Sequence, residues 1–317
     1  MKTVLLTAVG SASAHAAHAS LAAAGYRVIG CDIYPKSWNV NSGEMAAFYT
    51  VPLATDADAY AAALADIVRR ENVGYIVPLT DVEVDALCIR KEAFGALGAT
   101  VCCPDASVAA LCRDKLRMAS TLDTAGLCTV IPTWTADKLP ATPPYPLMLK
   151  PVRGRSSQAQ TVAHNAEELT QALRLRDDYI VQPYLPGTVY TVDAARDTLD
   201  NVVTLTRVER LRTVNGLGTA VEICPGHPLD AVCAGILRFA KVTGVVNLEF
   251  IRRGDEYYFL ELNPRFSGGV GFSVLAGYDF PLAMLNCHTD EPLPPAPVFR
   301  RMTLAQRYEM RVTETGE

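Results

Sequence analysis

The chain has 317 residues, half of them hydrophobic, and 29 basic against 34 acidic residues give a formal charge of −5. That balance offers no basic footprint for nucleic acid, and no apolar run approaches the roughly 18 residues of a membrane span. The length exceeds one small core and implies two or three packed domains.

Residues 1–9 carry Lys2 ahead of an apolar run, with Ala12, Ala14 and Ala16 beyond it, so a secretory leader has to be weighed. A first strand over 3–9 explains more: a turn at Gly10-Ser11, an alanine-rich helix to Ala24, a stop at Gly25 and a second strand over 27–32 complete a β-α-β unit. The N-terminus is therefore expected to stay as part of a sheet. The alternation continues with an amphipathic helix over 58–71, a short buried strand over 75–78, a helix over 82–94 and a strand over 100–103. Residues 1–110 read as an open parallel α/β domain. Asp32 stands where the ribose-binding acid of a dinucleotide unit would, but Gly10-Ser-Ala-Ser-Ala-His15 keeps only one glycine of G-x-G-x-x-G. The tight turn and the approach to a pyrophosphate both need the missing ones, which argues against a dinucleotide. His15 and His18 share a helical face without a third ligand and read as ordinary polar contacts.

A helix over 107–125 carries Asp114-Lys115, and a proline-rich stretch over 140–146 leads into a strand over 147–150. A turn-rich loop follows Lys150, then a strand to 162, a helix over 166–174 and a buried strand over 179–182. From 188 onward strands dominate, at 189–194, 201–207 and 219–223, with a helix over 229–242. Two more strands meet at a Gly-containing turn, Arg253-Gly254-Asp255. Residues two apart in a strand share a face, so this hairpin brings Glu249 beside Glu261 and Asn263. Two carboxylates and an amide oxygen, followed by Arg265, suit Mg²⁺ ions bound to phosphate oxygens. A solvated surface hairpin explains poorly why acids stand between Leu248 and Phe250 and between Leu260 and Leu262. The nine cysteines include no Cys-x-x-Cys pair, as expected of buried thiols in a reducing cytoplasm.

Four signals stand in chain order: Asp114-Lys115; Tyr145-Pro-Leu-Met-Leu-Lys150-Pro151; Ile180-Val-Gln182-Pro183-Tyr184-Leu185-Pro-Gly187; and Glu249 with Glu261-Leu-Asn263-Pro-Arg265. In that order they resemble the ATP-grasp superfamily, in the branch that includes the carbamoyl-phosphate synthase large-subunit halves and the pyrrolysine-pathway ligase, over nearly the whole chain. Val77-Pro78-Leu-Thr-Asp81-Val-Glu83 is similar to the Pro-x-x-Asp-x-Glu turn of the domain that precedes the family's nucleotide-binding core.

The resemblance implies an α/β protein with a parallel pre-ATP-grasp domain over 1–110 and a two-part ATP-grasp α+β fold, its N-terminal subdomain over 111–186 and its C-terminal, metal-bearing subdomain over 187–317. It implies ATP with Mg²⁺, or Mn²⁺ in its place. Lys115 and Lys150 would meet phosphate oxygens, with the loop at Gly154, Ser156 and Ser157 cradling them. Gln182, Pro183, Tyr184 and Leu185 would form the hinge that reads and sandwiches adenine. Glu249, Glu261 and Asn263 would hold the metal. Arg265 would contact the transferred phosphate, for which a planar fork is suited, and either Arg210 or Arg212 would meet the acylphosphate. Asp81, Glu83 and Phe266-Ser267-Gly268-Gly269 are expected substrate contacts. Taken alone, either lysine reads more readily as a solvated surface residue than as a phosphate ligand.

Two departures stand out. Ser156 and Ala159 occupy loop positions where the family carries glycine, and Gly187-Thr-Val189-Tyr190 replaces the family's Gly-x-Glu-Tyr after the hinge. Val189 cannot accept bonds from ribose hydroxyls, and Asp193 is the substitute to weigh. The implied function is a cytoplasmic ATP-dependent carboxylate-amine ligase that acts through an acylphosphate on an amino acid or other small carboxylate and releases ADP and phosphate. Its partners would be small molecules, with neither nucleic acid nor membrane, and a homodimer is compatible. The alternatives are synthase-like phosphorylation of bicarbonate or a small carboxylate, and a nucleotide-binding sensor or partner subunit of weak turnover.

Overall fold

A computed structural model describes residues 2–154, 159–214, 216–307 and 313. Its strands form sheets of five, four and seven strands. In the first, all parallel, Thr3–Leu6 is the middle strand between Arg27–Asp32 and Val73–Val77. All of Thr3–Leu6 is buried, as a parallel strand covered on both faces must be. The strand ends at Leu6, short of the expected 9, because Ala8 turns the chain with φ 46°. Gly25, at φ 85°, stops the helix Ala14–Ala23 as read from the sequence. Asp32 accepts the Gly10 N–H at 2.9 Å and the Tyr34 N–H at 3.0 Å. The chain itself fills the position in which a dinucleotide would be read.

Two helices expected to be continuous are each broken, into Asp81–Cys88 with Lys91–Gly95 and into Ala106–Arg113 with Lys115–Thr124. At the second break Asp114 leaves helical geometry (φ −99°, ψ 96°) and its carboxylate accepts the Arg117 N–H at 2.9 Å. It thereby caps a new helix that begins at Lys115.

The four-stranded sheet, in the order Trp134–Thr135, Tyr179–Pro183, Leu147–Pro151 and Thr161–Ala163, is antiparallel and is backed by Ala166–Leu175. The seven-stranded sheet runs Met302–Ala305, Gly218–Ile223, Val202–Arg212, Thr188–Arg196, Gly244–Arg253, Glu256–Asn263 and Thr129–Val130. Only the last pairing is parallel. On one face Val192, Val208, Leu248, Phe250 and Leu262 pack against Met118 and Leu122 of Lys115–Thr124 and Cys233 and Ile236 of Pro228–Phe239. The segment 106–130 thus packs on this sheet although it precedes the four-stranded one in sequence. The other face is apolar at one end, where Ala195, Val203 and Val245 pack against the first sheet, and polar at the other, where it forms the floor of a cleft. Among the described residues no helix is long and apolar enough to cross a membrane, and all nine cysteines are free thiols.

His288, just past the helix Phe280–Asn286, is half-buried, and its Nε2 is sealed from solvent without a hydrogen-bond partner. Burial holds its pKa down to about 4, from an ordinary 6.5, with Lys91 lowering it further and Asp105 opposing. The unfolded chain therefore takes up a proton between about pH 6.5 and 4 that the folded chain refuses, and stability falls as pH drops through that window. The expected loss is about 3 kcal/mol for this group. Urea unfolding of His288→Met between pH 7 and 4.5 should show a shallower loss than the parent; equal slopes would refute the assignment.

Candidate active site

The floor of the cleft is a consequence of register. Arg207 pairs with Thr191, Thr191 with Glu249, and Glu249 with Glu261, so four polar side chains form one row across four strands. In the next row Asp193 pairs with Asn247 and Asn247 with Asn263. With a side-chain period of two, the residues between these rows face the apolar core. A cavity of about 610 Å³ lies over the rows.

Glu249 and Glu261 face each other as anions and each has a cation. Arg212 donates to Glu249 at 2.9 Å, and the Lys115 ammonium is 3.5 Å from Glu261 and donates to the Gly154 carbonyl at 3.1 Å. Burial pushes the Glu249 carboxyl up to about 6; Arg212 pulls it back while Glu261 pushes it further. For Glu261 burial also acts upward, but Lys115 first, then Asn263, Lys150 and Arg265, outweigh it and hold the group below the usual range. Lys150 is pressed down to about 8, chiefly by burial, with Lys115 adding to the fall and Glu261 and Glu249 opposing it. An ammonium held this low is poised to be restored by added negative charge such as phosphate oxygens.

Metal fit follows from the donor set. Asn263 spends its Nδ2 on Glu261 Oε1 (3.0 Å) and Asn247 Oδ1 (3.3 Å), so Oδ1 is the atom left to act as a ligand. Among the described residues no group of three or more His, Cys, Asp or Glu side chains could hold a metal ion. Two carboxylates and an amide oxygen suffice for Mg²⁺ only when phosphate and water complete the shell, which is its usual habit.

The hinge strand Tyr179–Pro183 delivers Gln182, whose Nε2 donates to Thr133 at 2.7 Å, and then Pro183, Tyr184 and Leu185 along the cavity wall. The Tyr184 N–H is already bonded to the Pro146 carbonyl at 2.9 Å. At Gly187 a Cβ would collide with the Arg252 carbonyl oxygen, so only glycine lets the chain cross here. Lys115, Lys150, Gly154, Gln182, Pro183, Tyr184, Leu185, Arg212, Glu249, Glu261, Asn263 and Arg265 all line the one cavity. Ser156 and Ser157 lie outside the described residues.

Of the two arginines left open, only Arg212 belongs here. Arg210 shares the parity of Val208 and pairs at 2.6 Å with Glu222 on the exposed side, whereas the register slips between Glu209 and Leu211 and again before Arg212. The bulge reverses the parity of the strand, leaving Arg210 outside and bringing Arg212 in. Asp193 is no ribose acceptor: it is buried against Arg207 and Ser273. Glu83 is not a substrate contact either, since Thr7 (2.7 Å), Tyr60 (3.1 Å) and the Thr80 N–H (3.1 Å) occupy its carboxylate. Asp81 does reach the cavity and accepts from Arg265 at 2.9 Å. The sequence reading missed Arg207, Glu209, Thr191 and Asn247. Arg207 is fully buried and donates to Glu209 at 3.2 Å and Ser267 at 2.9 Å; Thr191 donates to Glu209 at 2.8 Å. Extending the strand from 207 to 212 would have shown Arg207 and Glu209 flanking Val208 on one parity.

Fold and cleft together bring a cluster of cationic and anionic side chains to one cavity between two sheets. Residues 175–312 match the family model described as ATP-grasp in the biosynthetic pathway with Ter operon. The carbamoyl phosphate synthase large chain of Clostridium beijerinckii is 27% identical over 143 residues, a stretch covering 40% of this chain and 13% of that relative. The chain thus spans a small part of such relatives. Among solved structures, the biotin carboxylase complex from Campylobacter jejuni superposes with a TM-score of 0.75 at 17% identity, over 92% of this chain and 72% of that one. The L-amino acid ligase from Bacillus licheniformis gives 0.70 at 17% identity, over 90% and 73%. These two likenesses establish the shared fold.

Gly187→Ala should destabilise the protein by about 1–3 kcal/mol, the usual range for forced overpacking, and weaken MgADP binding. Thermal unfolding and calorimetric titration would measure both, and a parent-like pair of values would show that the hinge tolerates a side chain.

Proposed function

We propose that the protein is an ATP-dependent carboxylate-amine ligase that works through an acylphosphate on a small carboxylate, in the cytoplasm and without nucleic acid or membrane as partner. The observation that carries this reading is the convergence of Lys115, Lys150, Arg212 and Arg265 with Glu249, Glu261 and Asn263 on one cavity. A purely binding site has no need of every charge-neutralising group. Residues 1–110, 111–186 and 187–317 would act as the three parts that enclose the reactants.

On this reading Gln182 to Leu185 hold the base at the hinge, and Lys115 and Lys150 take the phosphate tail. Mg²⁺ on Glu249, Glu261 and Asn263 would neutralise phosphate charge. Binding releases Arg212 and Lys115 from the two carboxylates they pair with in the free protein. Arg265 then faces the γ-phosphoryl group as a carboxylate oxygen attacks it and the bond to the ADP oxygen breaks. An amine displaces phosphate from the acylphosphate and loses a proton as the amide forms. Positioning and charge neutralisation supply most of the rate, and no side-chain nucleophile is required.

One observation favours a second reading, a nucleotide sensor of weak turnover. Val189 stands at the ribose position of the resemblance, and Asp193 is committed to Arg207. Tight MgATP binding with no ADP release under any acceptor would select that reading.

A screen of ADP release over single and paired small carboxylates and amines is expected to find a pair that yields ADP and phosphate. With the carboxylate alone, hydroxylamine should give a hydroxamate. AMP and pyrophosphate would overturn the mechanism. Glu261→Gln should keep the parent's melting temperature yet lower turnover by about 10²-fold or more; parent-like turnover under saturating Mg²⁺ would remove the metal site from the argument.

A further inference from the structure

Asp81 belongs to the first domain, yet it reaches the cleft. It opens the helix Asp81–Cys88, in a turn fixed by a capping box between Thr80 and Glu83. Glu83 is in turn held by Thr7, at the end of the central strand, and by Tyr60 of the helix Ala57–Glu71. The first turn of this helix is therefore tied at two points to its own domain. Asp81 projects from that turn and is 1% exposed.

Its Oδ2 accepts from Arg265 at 2.9 Å and lies 3.9 Å from Arg113. Arg113 also donates to Asp85 at 3.2 Å and to the Gly154 carbonyl at 3.4 Å. Arg265 has a second bond, from NH1 to the Phe266 carbonyl at 2.8 Å. These two bonds use two of the five N–H donors of the guanidinium and fix its plane, leaving three for a ligand. A buried ion pair is weak evidence for stability, and its better-attested use is to fix a geometry.

We infer that Asp81 is a positioning residue for Arg265, so that the first domain, through one carboxylate, sets the orientation of the arginine that faces the transferred phosphoryl group. The inference rests on the ligase reading above, in which Arg265 acts on that group. Asp81 does not touch the reacting atoms in this scheme. It acts by denying Arg265 its other rotamers, and Arg113, 3.9 Å from the same oxygen, also donates to the Gly154 carbonyl.

The test is a double-mutant cycle of Asp81→Asn and Arg265→Ala on the full chain. ADP release is measured with the most active carboxylate of the screen, MgADP affinity by calorimetry and folding by thermal unfolding. Asp81→Asn should lower kcat by about 10²-fold, the usual result of a misplaced group, with KM for ATP and MgADP affinity within about 2-fold of the parent. In the Arg265→Ala background it should add less than about 2-fold, because the group it orients is gone. Asp85→Asn, which loses a bond to Arg113 but none to Arg265, should leave kcat near that of the parent. A parent-like kcat for Asp81→Asn, or a loss that multiplies with that of Arg265→Ala, would overturn the proposal while leaving the ligase reading intact. A loss confined to melting temperature, with kcat per folded molecule unchanged, would reduce Asp81 to a structural tie. A parent-like kcat for Arg265→Ala would instead sink the site reading on which the proposal stands.

Discussion

The two-residue period of the seven-stranded sheet is the constraint on which the cleft depends. Each of its long strands must bury one face against helices and present the other to a ligand, so polar and apolar residues have to alternate with little error. Val192, Val208, Leu248 and Leu262 keep the buried parity, while Thr191, Arg207, Glu249 and Glu261 keep the other. A slip of one residue would drive carboxylates into the core. Parity changes at two bulges, opposite Glu249 and Phe250 in the hairpin and at Arg210, and the second serves the site: it brings Arg212 over Glu249 after Arg207 and Glu209 have occupied the row beside it.

Placing that many charges under partial burial is tolerable only because they are balanced. Glu249 rests on Arg212, Glu261 on Lys115, Asp81 on Arg265, and Asp193 and Glu209 on Arg207. An unpaired charge in such a setting costs several kcal/mol. The free protein is thus a set of internal ion pairs, two of which stand where a cation and its phosphates would sit. The pairs differ in depth. Arg207 with Asp193 and Glu209 is packed tightly within the floor, with side chains no more than 3% exposed, whereas Arg212 and Glu249 are 25% and 19% exposed.

Much of this was legible in the sequence because the signals were local. The acid-bearing hairpin follows from alternation plus a glycine turn, and its register pairs Glu249 with Glu261 as expected. The first β-α-β unit follows from an apolar run, a glycine stop and a second apolar run. What was not legible depends on partners far along the chain. The choice between Arg210 and Arg212 turns on a bulge that spacing alone does not reveal. Glu83 and Asp81 look alike as acids two apart at a helix start, yet one caps the helix and binds Thr7 while the other leaves the domain. Arg207 was missed because the strand was ended at it, and a charged residue at a strand end reads as a solvated one. The break at Asp114 escaped because the apolar period runs on across it.

The packing also divides the molecule in a way that bears on how it would close on a ligand. Val4, Leu6 and Val28 of the first sheet share one hydrophobic core with Ala195, Val203 and Val245 of the seven-stranded sheet and with Phe266 and Phe280. The alanine-rich helix Ala14–Ala23 explains itself here. A Cβ at Gly271 would lie 3.3 Å from that of Ala16, so small residues let this helix approach Val270–Leu275 closely. Ser20 adds a hydrogen bond to Asp279. The four-stranded sheet has instead a core of its own, built on Leu147, Leu149, Tyr179 and Val181. The cleft therefore has one continuous wall, carrying Glu249, Glu261, Arg265 and Asp81, and one separate wall carrying Lys150 and Gln182. Any closure over a ligand must be taken up where the chain passes between the walls, and at Gly187, where no side chain fits, that passage is pinned against the backbone of Arg252.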